Sequence, residues 1–137
     1  MDLKIPLLPK NSWHKYLLLL ALLLLSAPLT ATADSLEAVR KQAESGDAQA
    51  QLQLGDRLLR GDGVAQNLAD GAKWLRKSAE QKNPEAQFRL AHLYREGKGV
   101  PRDLKEAAAW LTKAATLGHG EAQLELGEMR HEGLVNQ

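Results

Sequence analysis

The chain has 137 residues, enough for about one domain, and its 18 Lys plus Arg against 17 Asp plus Glu leave it near neutrality. That balance argues against a nucleic-acid binder working through bulk positive charge. Cysteine is absent, which excludes disulfides, thiolate zinc sites, Cys nucleophiles and a lipidated N-terminal Cys, and few aromatics beside abundant Ala and Leu favour packed helices over a β-sandwich.

The first segment carries Lys4, Lys10 and Lys15 against Asp2. An uninterrupted apolar run follows from Tyr16 to Leu25, broken by Ser26, Pro28 and Thr30, and Ala31-Thr32-Ala33 precedes Asp34. A positive start, a short apolar stretch and an Ala-x-Ala site read as a secretory signal peptide over residues 1–33, cut between Ala33 and Asp34. The run is well short of the ~20 apolar residues that a membrane span needs. No stable membrane anchor is therefore expected after cleavage, and the protein is expected to be periplasmic or secreted. Loss of three Lys and one Asp from the totals of 18 and 17 leaves 15 basic and 16 acidic residues. Nucleic acid becomes a still poorer candidate partner.

From residue 34 onward the chain repeats itself every 36 residues. Ala50-Gln51 returns as Ala86-Gln87 and Ala122-Gln123, Leu54 as Leu90 and Leu126, and Gly61 as Gly97 and Gly133. Trp74-Leu75 returns as Trp110-Leu111, and Lys77 as Lys113. Residues 46–81 and 82–117 are identical at 12 of 36 positions without a gap. A fixed period in this range is the signature of a helical solenoid. The pattern predicts first helices over about 48–60, 84–96 and 120–132, and second helices over about 68–81 and 104–117. Asp47 and Asn83 stand at N-cap positions, and Pro84 suits a first helical position. Asp103-Leu-Lys-Glu106 reads as a capping-box variant and Asn67-Leu-Ala-Asp70 as a weaker one. Gly61-Asp-Gly63 and Gly97-Lys-Gly99 are expected to end the first helices.

Residues 34–45 align with the second helix at 70–81, so the domain 34–137 begins in mid-repeat. Its expected parts are a half repeat 34–45, repeats 46–81 and 82–117, a half repeat 118–133 and a tail 134–137. Six antiparallel helices result. The last has four Glu and a polar outer side, as a terminal capping repeat requires.

The string from Ala86 to Ala115 resembles the Sel-one-like repeat, a relative of the tetratricopeptide repeat. That family's pattern is Ala-Gln, Leu-Gly, an aromatic, Gly-x-Gly-Val, an acidic residue, then Ala-x-x-Trp-x-x-Lys-Ala-Ala. The copy from Ala50 to Ala79 keeps most of it, with Leu58 at the aromatic position and Gly71 inside the second helix. The resemblance implies an all-α, short right-handed α/α solenoid whose first helices line a concave face. It places Gln49, Asp56 and Arg60 on that face, then Glu85, His92 and Glu96, then Glu121, Glu128 and Glu132. The face grows more acidic along the array and suits a protein or peptide partner with basic character. Small residues such as Ala50, Gly55, Ala72 and Ala86 are expected to let helices approach closely, and Trp74 and Trp110 to fill core or core edge. With little more than two repeats the array is near the minimum for stability, which leaves self-association open.

Chemistry finds little support. His92 and Glu96 lie one turn apart, and the repeat places Glu128 opposite His92, but no His-x-x-x-His pair or Cys accompanies them, so no metal or other cofactor is expected. Ser35, Ser45 and Ser78 lack a Gly-x-Ser-x-Gly setting, and no Gly-rich loop follows a strand. Cysteine-rich members of the family have been linked with β-lactam hydrolysis, and their paired cysteines are missing here. The reading is a non-enzymatic adaptor or scaffold that binds through the concave face. The alternatives are an immunity or inhibitor protein against an envelope-acting toxin and, behind it, a small β-lactamase-like hydrolase.

Overall fold

A computed structural model describes residues 13–25, with side chains to residue 20, and residues 35–133. The expected cleavage site at Ala33 and Asp34 and the tail 134–137 lie outside the described residues. The described residues fall into two units, 13–25 and 35–133. In the first, α1 (Trp13–Leu25) is the apolar run and the residues just before it. Its 13 residues span about 20 Å at 1.5 Å each. Among the described residues no helix is long and apolar enough to cross a membrane.

The second unit holds α2 (Leu36–Glu44), α3 (Ala48–Arg60), α4 (Leu68–Glu80), α5 (Pro84–Glu96), α6 (Leu104–Thr116) and α7 (Gly120–His131). Each packs on its neighbour in sequence, as an α/α solenoid demands. The boundaries follow from local chemistry. Asp47 and Asn83 accept hydrogen bonds from the backbone N–H of Ala50 and Ala86, at 2.6 and 3.1 Å. His119 occupies the same repeat position and does the same through its ring, Nδ1 accepting from Ala122 N–H at 3.2 Å. Each side chain satisfies one of the donors that a helix start leaves unpaired. Gly61 and Gly97 end α3 and α5 in the left-handed region, at φ 76° and 70°.

The capping boxes at Asn67 and Asp103 form only by half. Asp103 Oδ1 accepts from the N–H of Lys105 and Glu106, and Asn67 Oδ1 from that of Asp70. The cap residues' own N–H groups, which a full box would give to an acidic side chain, instead donate to Tyr94 O and Leu58 O, both at 2.9 Å. Those bonds tie the start of each second helix to the end of the first.

Leu54, Leu75, Leu90, Leu111 and Val39 are almost wholly buried between the helices. Gly55 and Gly71 are where α3 and α4 come closest. A Cβ on Gly55 would stand 3.0 Å from Leu75 Cγ, and one on Gly71 2.8 Å from Leu59 Cγ and 3.0 Å from Gly55 O. Gly71 is thus required by packing, and the glycine inside α4 is no flaw in the repeat. Trp110 is buried in the larger apolar cluster, while Trp74 is half-buried against the smaller one. Lys113 Nζ lies 3.9 Å from the Trp110 ring centre and Lys77 Nζ 4.1 Å from that of Trp74. This cation–π contact gives the recurring Trp-x-x-Lys a physical reason.

Candidate functional site

The first helices α3, α5 and α7 stand side by side, and charged side chains cross from each to the next. Arg89 on α5 reaches back to Asp56 on α3 and down its own helix to Glu85. Glu85 then meets His119 Nε2 at 3.0 Å, at the start of α7. Nearly two turns beyond Arg89 on α5, Arg95 pairs with Glu125 on α7. Phe88 sits between the two histidines, stacked on His119 at 4.5 Å and edge-on to His92 at 4.6 Å. Burial alone would push the Glu85 carboxyl up, but hydrogen bonds from His119 and Arg89 outweigh it and hold the group below the ordinary Glu range.

Both rings are held in one tautomer by donors aimed at Nδ1. Arginine can only donate, so Arg95 Nη2, 2.7 Å from His92 Nδ1, requires a lone pair there and puts the proton on Nε2. His92 Nε2 lies 3.1 Å from Glu125 Oε2, in contact with it but off the line of a hydrogen bond. The backbone N–H of Ala122 imposes the same tautomer on His119. The partner of His92 is therefore Glu125, and the repeat alignment that placed Glu128 opposite it is one turn out. Among the described residues no group of three His, Asp or Glu side chains is placed to hold a metal ion.

The nine residues assigned to this face fall into three groups. Asp56 and Glu85 are half-buried in the ion-pair ladder, and His92 joins it through Arg95. Gln49 accepts from Asn83 Nδ2 at 3.4 Å, and Glu96 pairs with Lys98 at 2.6 Å, a hydrogen bond that lowers its pKa. Arg60, Glu121, Glu128 and Glu132 are exposed. Asp56 and Arg60 also line an open trough of about 490 Å³ with Gln53 and Asp62 at one end of the face. Arg89, Arg95, Glu125, Phe88 and His119 complete the surface and were not among the residues assigned to it from the sequence. A signal for them existed: Asp56 and Arg89, and His92 and Glu125, stand 33 residues apart, one period less one helical turn. The arginines balance the acids of α3 and α5, so the acidic character is concentrated on α7.

A second repeating tie lies deeper. Gln51, Gln87 and Gln123 each donate through Nε2 to the carbonyl eight residues earlier, at Ala43, Ala79 and Ala115, at 3.1, 3.0 and 3.0 Å. The Gln of the recurring Ala-Gln pair is thus a structural clamp between each first helix and the end of the helix before it.

These features define a class: a short α/α repeat solenoid with a rigid polar face on its first helices. The Sel1 repeat family model matches residues 48–83, 84–119 and 120–137, and the chain belongs to that family. Among solved structures it is 42% identical over 72% of its length, with a TM-score of 0.70, to c5321, a protective antigen present in uropathogenic Escherichia coli strains displaying an SLR fold. It is 39% identical over 68%, with a TM-score of 0.66, to a Sel1 repeat protein from Oxalobacter formigenes. The chain spans only 21% and 27% of the lengths of those two. Against Helicobacter pylori cysteine rich protein B it is 25% identical, covering 74% of this chain and 76% of that one, at a TM-score of 0.64. No curated protein sequence matches the chain.

Proposed function

We propose that the protein is an exported interaction module that binds a basic segment of a partner protein on the shared face of α3, α5 and α7. The Sel1 repeat is a protein-interaction fold, and that coarser statement stands on family membership. The observation that supports the finer one is the division of labour among the acids. Asp56, Glu85 and Glu125 are spent on inter-helix pairs, whereas Glu121, Glu128 and Glu132 stand exposed along the length of α7 and at its C-cap. A surface held stiff by cross-repeat ties loses little entropy when a ligand docks. Export is supported by the positive, apolar and Ala-x-Ala order of residues 1–33, and Asp34 as the N-terminus of the protein recovered from cells would test it.

The test of the binding reading is affinity capture from envelope extract by the wild-type chain and by a Glu121→Lys, Glu128→Lys variant. Both side chains are exposed, so the variant should fold normally by circular dichroism. A dominant protein caught by the wild type and lost by the variant is the expected result. Equal recovery by both would move the site off this face.

A further inference from the structure

The outer edge of the second repeat carries a separate cavity. It is an open groove of about 510 Å³ between the end of α4 and the length of α6, lined by Ala79, Gln87, Trp110 and Leu117, with Lys82 and Lys113 at its charged parts. Two of its lining side chains are nearly wholly buried, Gln87 at 3% and Trp110 at 5% exposure, and each keeps one polar atom without a partner. Gln87 Oε1 lacks a donor and Trp110 Nε1–H lacks an acceptor. Such atoms are costly to leave unpaired, and an orphan in a native protein calls for an explanation.

The preceding repeat shows what is missing. There Gln81 Nε2 donates to Gln51 Oε1 at 2.8 Å and to Gly46 O at 2.9 Å, closing the corresponding edge. Thirty-six residues later Gln81 has become Leu117, which has nothing to donate and is 45% exposed, and Glu80 has become the shorter Thr116. Gly46 has become Lys82, which keeps a left-handed backbone at φ 64°, while Gly46 and Gly118 at the matching positions have φ 100° and 87°. Lys82 thus puts a cation at the rim in a backbone conformation that the matching positions fill with glycine.

We propose that this edge is a second binding site, which takes an extended acidic peptide. Its main-chain N–H bonds Gln87 Oε1 and its carbonyl accepts from Trp110 Nε1–H. A neighbouring aliphatic side chain enters the trough between Ala79, the indole and Leu117, and flanking carboxylates meet Lys82 and Lys113. The unpaired acceptor and donor offer one partner each to a main-chain N–H and a main-chain carbonyl, and two lysines against Glu80 set the sign of the flanking charge. Lys113, exposed and lying over the indole, is the flexible side chain that swings aside to admit the ligand.

The test is a titration of the full chain, 15N-labelled in non-ionic detergent, with acetyl-Glu-Leu-Glu-amide and, separately, acetyl-Lys-Leu-Lys-amide. The readout is the Trp110 indole N–H resonance, assigned with Trp110→Phe. The acidic peptide should shift it saturably, and the basic one should bind at least about tenfold more weakly. Leu117→Gln, which reinstates the closing amide of the first repeat, should weaken the acidic peptide by about tenfold or more while leaving the helical spectrum intact. Lys82→Glu, at an exposed position, should reverse the preference between the two peptides. The proposal is overturned by the absence of a saturable shift, by equal binding of both peptides, or by Leu117→Gln binding as the wild type does.

Discussion

At the scale of single residues, two side chains stand in for the residue that the repeat would ordinarily use. Lys82 holds a left-handed backbone, and a non-glycine residue there bears a strain of about 1 kcal/mol. Replacing it with glycine relieves that strain but adds roughly 0.5 kcal/mol of unfolded-chain entropy. Lys82→Gly should therefore stabilise the protein by about 0.5 kcal/mol in urea unfolding, and a clear loss of stability would show that the lysine side chain contributes to the fold. His119 takes the cap position that Asp47 and Asn83 fill in the earlier repeats, and it also bonds Glu85. Glu85 titrates below its ordinary range in the folded chain, so its contribution to stability is present above that range and is lost as pH falls through the folded pKa. Melting temperature should accordingly drop as the solution is acidified below about pH 4.3, and Glu85→Gln should flatten that part of the profile. An unchanged acid limb in the variant would mean that other carboxylates carry it.

At the scale of elements, one glycine position is used differently along the array. Gly55 is pressed against Leu75 and the Gly71 carbonyl, whereas nothing lies within 4 Å of a Cβ built on Gly127, its counterpart on α7. An Ala in a helix is worth ~1 kcal/mol more than Gly, but overpacking a closed contact costs ~1–3 kcal/mol. Because Leu75 is fully buried, the second effect wins at Gly55. Gly55→Ala should destabilise by about 1 kcal/mol and Gly127→Ala should stabilise by about 0.5–1 kcal/mol, measured by the same urea midpoints. Two shifts of the same sign would contradict the close-approach account. Helix positions and their ends were legible in the sequence, because Asp47, Asn83, Gly61 and Gly97 act through bonds to residues a turn or less away. The half-formed capping boxes were not. The N–H of Asp103 has two possible acceptors, and only the packed helix pair brings Tyr94 O close enough to take it.

For the whole molecule, the period determined which helices neighbour one another, and with them most of the fold of residues 35–133. The candidate face was legible in outline, since repeat arithmetic put Asp56, Glu85, His92 and Glu128 on the same series of helices. Their individual partners were not, because neighbouring helices are offset by about a turn. That offset makes Glu125, and not Glu128, the partner of His92. It leaves Glu121, Glu128 and Glu132 exposed at one end of a surface whose other acids are already paired, which is the basis for expecting a basic partner segment there.

The most direct measurement is photocrosslinking in cells, with a benzophenone amino acid in place of Glu128 on the shared face or of Ala69, exposed on α4. A crosslinked product from position 128 and none from position 69 is the predicted result. A product from position 69 alone, or from neither, would contradict binding on the first-helix face.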